Sequence, residues 1–121
     1  MRINFFLVIF LFSVFSFAQI ASVDDKKFSE IIQQPLVLVD FYATWCVPCK
    51  IQEKELLALQ DTLLSKLVIV RLDAEKFYSI SKNYAVQYYP TLILFQKGKA
   101  IKKWIGLQRK DDLIREIKPF L

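Results

Sequence analysis

The two cysteines of the chain stand three residues apart, at the junction between a predicted strand and a predicted helix. Residues 36–42 form an apolar run interrupted by Asp40, a pattern typical of a strand that is buried on both faces. Over residues 48–65, leucines recur at helical spacing between charged side chains, which predicts a long amphipathic helix. The segment from Cys46 to Cys49 therefore lies where a buried strand leads into the first turn of a helix.

This position favours thiol chemistry. Unpaired N–H groups and the helix dipole stabilise an anion at a helix start, so we expect the pKa of Cys46 to lie below the ~8.5 of a free thiol. Cys46 is predicted to be an exposed thiolate that attacks a disulfide, and Cys49, one turn further on, to resolve the mixed disulfide. Pro48 suits the first helical turn because its missing N–H costs no hydrogen bond there. The alternatives are a structural disulfide, although so short a loop stabilises little, and a metal site shared between two protomers.

Asp40 interrupts the apolar strand six residues before Cys46. Burial of a lone carboxylate is costly and raises its pKa, which produces a group able to exchange protons near neutral pH. We predict that Asp40 lies beneath the two cysteines and accepts the proton of Cys49 when that thiol attacks. The alternative is that Asp40 reaches water or pairs with Arg71 on the neighbouring strand, and both interpretations can hold together.

The other predicted elements alternate between helix and strand, and together they predict an α/β fold. Early strand-helix-strand alternation requires a parallel crossover, and a terminal hairpin adds an antiparallel pair, which gives a mixed sheet with helices on both faces. The predicted elements are a helix capped by Ser22 or Asp24 and closed by Pro35, a strand over 67–72, a helix over 77–84, a strand over 91–95, a turn at 97–99 into an edge strand over 100–105, and a helix over 111–121.

Composition excludes several classes of function. The chain has 121 residues, no histidine and two cysteines, so it cannot supply a four-ligand Cys/His zinc shell or a histidine-based catalytic group. We therefore predict no metal and no other cofactor. The formal net charge of +5 is a small excess spread over loop and strand faces, which predicts no binding to nucleic acid. The length suits one domain, and the sequence requires nothing larger than a monomer.

The first 18 residues are a separate compositional unit, since they hold six of the eleven phenylalanines. Arg2, an apolar run and the small residues Ser16 and Ala18 predict a secretory signal over residues 1–18, cut after Ala18. The remaining domain would then cover residues 19–121, in the periplasm or outside the cell. The alternative is an uncleaved membrane anchor over residues 3–21.

Pro90 opens a predicted strand directly after Tyr89, an awkward place for a residue without a ladder donor. A cis bond between these residues would turn the backbone aside and leave that of Tyr89 free to pair with an incoming peptide.

These residues resemble the thioredoxin family in order and spacing, from Ile20 to the C-terminus. The matching segments are Val39 to Lys50, Tyr89 to Leu92, Lys97-Gly98 and Gly106. The resemblance implies the thioredoxin fold, Cys46 as nucleophile, Cys49 as resolving thiol, Asp40 as proton acceptor and Pro90 as a cis-proline that faces the dithiol. It also implies a substrate-docking surface formed by Trp45, Val47, Pro48, Tyr89 and Gly106. The alternative role for Trp45 is that of a half-buried packing aromatic.

Val47 departs from the glycine of cytosolic thioredoxins, as in some exported reducing members of the family. The run from Cys49 to Glu55 is also similar to the C-terminal domain of the disulfide-reductase relay DsbD, which implies that Asp40 and Glu53 tune the thiols. Glu53 has the alternative role of a solvated helix residue, and Arg71 is the basic candidate for modulating Asp40.

The direction of electron flow follows from the two residues between the cysteines. A histidine there is typical of oxidising and isomerising relatives, whereas Val47 and Pro48 carry no charge, which favours a protein-disulfide reductase. Disulfide-containing proteins are the expected substrates. Because the space outside the cytoplasm is kept oxidising, a membrane electron-relay reductase is the expected partner. The alternatives are a thiol oxidase or disulfide isomerase of the same fold, or a redox-inactive interaction module.

Overall fold

The computed structural model describes residues 18–121, in which five strands form one sheet that four α-helices flank. The predicted signal over residues 1–18 lies outside this range except for Ala18. Ile20 is buried in the core and Ala21 pairs with Val70, so the last two residues of the alternative anchor over 3–21 belong to the folded domain. Within residues 18–121, no helix is long and apolar enough to cross a membrane.

The elements follow one another along the chain in an order close to the predicted one. They are β1 (Ala21–Ser22), α1 (Asp25–Ile31), β2 (Val37–Tyr42), α2 (Val47–Leu63), β3 (Val68–Asp73), α3 (Tyr78–Asn83), β4 (Thr91–Gln96), β5 (Lys99–Ile105) and α4 (Lys110–Ile117). Short 3₁₀ turns over Leu64–Lys66 and Lys118–Phe120 extend α2 and α4.

The sheet has the strand order β1-β3-β2-β4-β5. β3 runs parallel to β1 and β2, whereas β4 is antiparallel to β2 and β5. The predicted mixed sheet is therefore confirmed. The turn between β4 and β5 has positive φ at both Lys97 and Gly98, as a two-residue type I′ hairpin requires.

Side-chain alternation along β2 divides the core between the two faces of the sheet. Leu38 joins the layer formed with α2 and α4, whereas Val37, Val39 and Phe41 join the layer formed with α1. Asp40 has the same parity as Leu38, so its side chain lies on the α2 side. The fold thus places the only carboxylate of β2 beneath the helix that carries Cys49.

One element was not predicted, and one open alternative is decided. β1 was not predicted, because two residues are too few to show a period of hydrophobicity. Of the two predicted caps of α1, Asp24 is the one observed, since its carboxylate accepts the Lys27 N–H at 2.7 Å. Ser22 instead belongs to β1 and pairs with Arg71.

Candidate active site

Cys46 and Cys49 form a disulfide at the start of α2, with their Cα atoms 5.3 Å apart. Cys46 directly precedes the helix, and Pro48 occupies its first turn. The predicted exposure of Cys46 is wrong for this disulfide form, in which Cys46 is 3% exposed and Cys49 is 1% exposed. The two sulfur atoms are covered because the disulfide packs against Ala43, Tyr42 and Tyr89.

The Cys46 sulfur has two polar neighbours. The backbone N–H of Cys49 donates to Cys46 Sγ at 3.2 Å, an arrangement that stabilises negative charge on the sulfur at the helix start. The carbonyl oxygen of Tyr89 lies 3.6 Å from the same sulfur. The Tyr89-Pro90 peptide bond is cis, as the resemblance implies, and it brings this backbone beside the disulfide.

Asp40 is fully buried and forms an ion pair with Arg71 across the sheet. Arg71 Nε lies 3.4 Å from Asp40 Oδ2, while Arg71 Nη1 lies 3.2 Å from Glu53 Oε2 on α2. The guanidinium also stacks over the ring of Tyr42, 3.8 Å from its centroid. Asp40 Oδ1 has no hydrogen-bond partner among the described residues. The predicted pairing of Asp40 with Arg71 is confirmed, whereas its predicted place beneath the two cysteines and its role as proton acceptor stay predictions.

Burial raises the pKa of Asp40 from 3.8 to about 7. The charge and hydrogen bond of Arg71 lower this pKa, and the nearby carboxylate of Glu53 raises it, but both effects are smaller than that of burial. The carboxylate of Glu53 contacts Arg71 and is only partly exposed, which favours its predicted role in modulating the pKa of Asp40. A cavity of about 230 Å³ opens beside the disulfide, and its lining includes Cys49, Glu53 and Arg71.

An exposed apolar surface surrounds the nearly covered sulfur. We call it the docking surface, and it consists of the predicted residues Trp45, Val47, Pro48, Tyr89 and Gly106 together with Ile105. Trp45 is 67% exposed, Val47 64% and Ile105 60%, which is far more than a packing role for Trp45 would leave. Gly106 has a φ of +84° and its N–H donates to the carbonyl of Pro90 at 2.8 Å, so the loop of Gly106 adjoins the cis-proline.

Sequence reasoning missed three residues that shape this site. The carboxylate of Glu75 accepts the indole N–H of Trp45 at 2.6 Å and thereby fixes the exposed ring. Ile105 adds an apolar side chain to the docking surface. Gln52 is fully buried and bonds to the backbone of Gln108. Only Gln52 had a sequence signal, since it is a polar residue on the apolar face of α2 between Cys49 and Leu56.

Tyr89 keeps its phenol neutral beside this surface. Burial raises the pKa of Tyr89, and the carboxylates of Glu75 and Asp73 raise it further.

Among residues 18–121, no group of three or more potential ligand side chains is placed to hold a metal ion.

A disulfide at the start of a helix, next to the backbone that precedes a cis-proline, is the site of a thiol-disulfide oxidoreductase. The chain belongs to the thioredoxin family, because the Thioredoxin family model matches residues 19–119. It is 39% identical over 95 residues to the thioredoxin of Chlamydia trachomatis, an alignment that covers 78% of this chain and 92% of that protein. It is 36% identical over 85 residues to a thioredoxin-like protein of Synechocystis, with 70% and 81% covered.

Solved structures agree with this family. A mutant thioredoxin from Halobacterium salinarum superposes with a TM-score of 0.77 at 27% identity, over 84% of this chain and 90% of that one. Oxidized mitochondrial thioredoxin 3 from Saccharomyces cerevisiae superposes with a TM-score of 0.74 at 31% identity, over 83% and 94%. The thioredoxin fold predicted from the sequence is therefore confirmed.

Proposed function

We propose that this protein is an exported disulfide reductase that passes electrons from a membrane electron-relay reductase to disulfide-containing proteins. The single observation that carries the proposal is the setting of Cys46. Its sulfur accepts the Cys49 N–H, adjoins the Tyr89 carbonyl and is surrounded by the exposed docking surface. A protein disulfide that binds this surface is brought to the one sulfur that the helix start prepares as a nucleophile.

The exchange takes place in two balanced steps. In the first step the Cys46 thiolate attacks one sulfur of the substrate disulfide, a mixed disulfide forms and the other substrate sulfur leaves as a thiolate. In the second step Cys49 gives up its proton and attacks Cys46 Sγ, which releases the second substrate thiolate. The substrate gains two electrons, and the Cys46–Cys49 disulfide of this structure is the oxidised product.

Asp40 is the acceptor for the Cys49 proton. Its pKa of about 7 lets it take up and release a proton near neutral pH, unlike an ordinary exposed carboxyl. Arg71 and Glu53 adjust that pKa in opposite directions, and both line the cavity beside Cys49, through which the proton can return to solvent.

The direction and the place of the reaction are supported by the sequence. Val47 and Pro48 supply no cation that would stabilise the reduced thiolate and make the disulfide strongly oxidising. The apolar residues 1–18 support export, and an exported reductant requires resupply with electrons from the membrane.

Reduction of insulin with dithiothreitol as electron source tests the activity, with Cys46→Ser as the control. We expect rapid precipitation of the insulin chains with the native protein and only the background rate with Cys46→Ser. Equal rates would refute the enzymatic proposal in favour of a redox-inactive interaction module.

Equilibration against glutathione tests the direction, since about 30 mV changes the equilibrium constant tenfold. We expect a potential close to the ≈ −270 mV of a reducing thioredoxin, whereas a value near the ≈ −120 mV of a strong oxidant would assign the protein to the oxidases. Fractionation of cells that make the full chain tests export, and recovery of the protein in the cytoplasm alone would refute that part.

A further inference from the structure

Gln52 takes no part in the exchange steps, although its side chain is fully buried one turn after Cys49. Its Nε2 donates to the Gln108 carbonyl at 3.0 Å, and its Oε1 accepts the Gln108 N–H at 2.7 Å. A buried amide that uses both ends on one backbone residue fixes that residue relative to its own helix. Gln52 therefore ties the loop between β5 and α4 to α2.

The tied loop leads back to the reactive sulfur. Gln108 Nε2 lies 3.4 Å from the Gly106 carbonyl, and the Gly106 N–H donates to the Pro90 carbonyl at 2.8 Å. Pro90 follows Tyr89, whose carbonyl lies 3.6 Å from Cys46 Sγ. A continuous series of contacts thus links α2, through Gln52 and the loop between β5 and α4, to the Tyr89-Pro90 backbone beside Cys46 Sγ.

Glu55 makes a second tie between α2 and the same region. Its carboxylate accepts the Lys110 N–H at 2.8 Å and lies 3.2 Å from Arg109 Nη1. The hydrogen bond from Lys110 contributes most to holding the pKa of Glu55 below its usual value. Both ties start on α2 and end on the loop or on the start of α4, so the position of the loop is determined by the helix that carries the active-site thiol.

We propose that Gln52 is a positioning residue for protein substrates, which holds Ile105 and Gly106 at a fixed distance from the dithiol. The inference rests on the proposed disulfide reductase activity. A protein substrate must contact the docking surface and present its disulfide to Cys46 at the same time, whereas a small disulfide needs only the sulfur. Loss of the tie should therefore weaken the binding of protein substrates and leave the chemical step intact.

The test compares Gln52→Met with Gln60→Met. Methionine keeps the length of glutamine without its hydrogen bonds, and Gln60 lies two turns further along α2. We expect KM for insulin to rise about tenfold in Gln52→Met, as the loss of well-placed buried hydrogen bonds implies, while kcat stays within about twofold. Single-turnover reduction of dithionitrobenzoate, a small aromatic disulfide, by the pre-reduced variant freed of dithiothreitol should match the native rate, and Gln60→Met should match the native protein with both substrates.

Each other outcome is decisive. Equal losses with insulin and dithionitrobenzoate would show that Gln52 acts on the dithiol itself, and unchanged KM with both would show that the tie has no effect on docking; either result overturns the proposal. If Gln52→Met does not fold, Glu55→Ala removes the second tie. This variant should raise KM for insulin by less than tenfold and leave the reduction of dithionitrobenzoate unchanged. An unchanged KM for insulin would overturn the proposal. A native protein that reduces neither disulfide would instead refute the proposed function.

Discussion

Replacement of Asp40 by asparagine should change the pH dependence of stability. Because burial raises the pKa of Asp40, the folded protein binds a proton more tightly than the unfolded chain, whose carboxyl has an ordinary pKa near 3.8. Between these two pKa values the folded state holds more protons, so stability falls as pH rises from about 4 to about 7. Below this window the buried carboxyl is neutral in both states, so its ionisation contributes no cost to stability.

The structure sets the size of this effect. A pKa that rises from 3.8 to about 7 on folding corresponds to about 4 kcal/mol, at about 1.36 kcal/mol for each pH unit. Solvent does not screen the charge of Asp40, since this side chain is fully buried and its Oδ1 lacks a partner among the described residues. Asparagine is neutral at every pH, so the stability of Asp40→Asn relative to the native protein should increase by about 4 kcal/mol between about pH 4 and about pH 8.

Urea unfolding of the two disulfide-bonded proteins across this pH range measures the difference. Subtraction cancels the titration of groups that the two proteins share, and the disulfide keeps both cysteines from titrating. Asp61→Asn is the matched control, because it removes a carboxylate from the exposed side of α2 and leaves the buried site intact. A difference that is constant with pH for Asp40→Asn would refute the argument that Asp40 is buried with a raised pKa.

Three further substitutions probe the same fold. Arg71→Met removes a cation that lowers the pKa of Asp40, so carboxyl NMR should show a midpoint above the native value of about 7, and an unchanged or lower midpoint would contradict this. Gly106→Ala meets no atom within 4 Å but has a φ of +84°, so urea unfolding should show a loss of about 1–2 kcal/mol from backbone strain alone, and no loss would contradict it. Phe28→Ala removes the ring that meets Phe41 and Phe95 edge to face, and thermal unfolding should show a loss of about 3–5 kcal/mol; a loss below about 1 kcal/mol would show that the cavity closes.

Most of the fold was predictable because each long element has its own pattern. The apolar run of β2 and the leucine spacing of α2 each extend over enough residues to show their period. β1 was not predicted because its two residues pair with β3 through backbone atoms, and backbone pairing does not depend on the type of residue.

The site was predictable where its chemistry lies in one short segment. Cys46, Cys49 and Asp40 are close together in the chain, and the position of the cysteines at a helix start is itself a local feature. The contacts of Glu75 with Trp45 and of Gln52 with Gln108 join residues 30 and 56 positions apart, so they depend on how the chain folds.

Asp40 in β2 and Gln52 in α2 are both fully buried polar residues within apolar patterns, but they differ in how their atoms are paired. Asp40 has an unpartnered oxygen, so its ionised form costs stability, and groups with strongly shifted pKa values cluster at functional sites. Gln52 pairs both ends with Gln108, so its burial is nearly free of cost and its removal leaves two backbone groups unpaired. Above about pH 8, Asp40→Asn should therefore stabilise the protein, whereas Gln52→Met should destabilise it by about 1–3 kcal/mol. Opposite signs from two equally buried positions would show that the pairing of a buried polar group sets its cost to stability, and equal signs would show that burial alone decides the outcome.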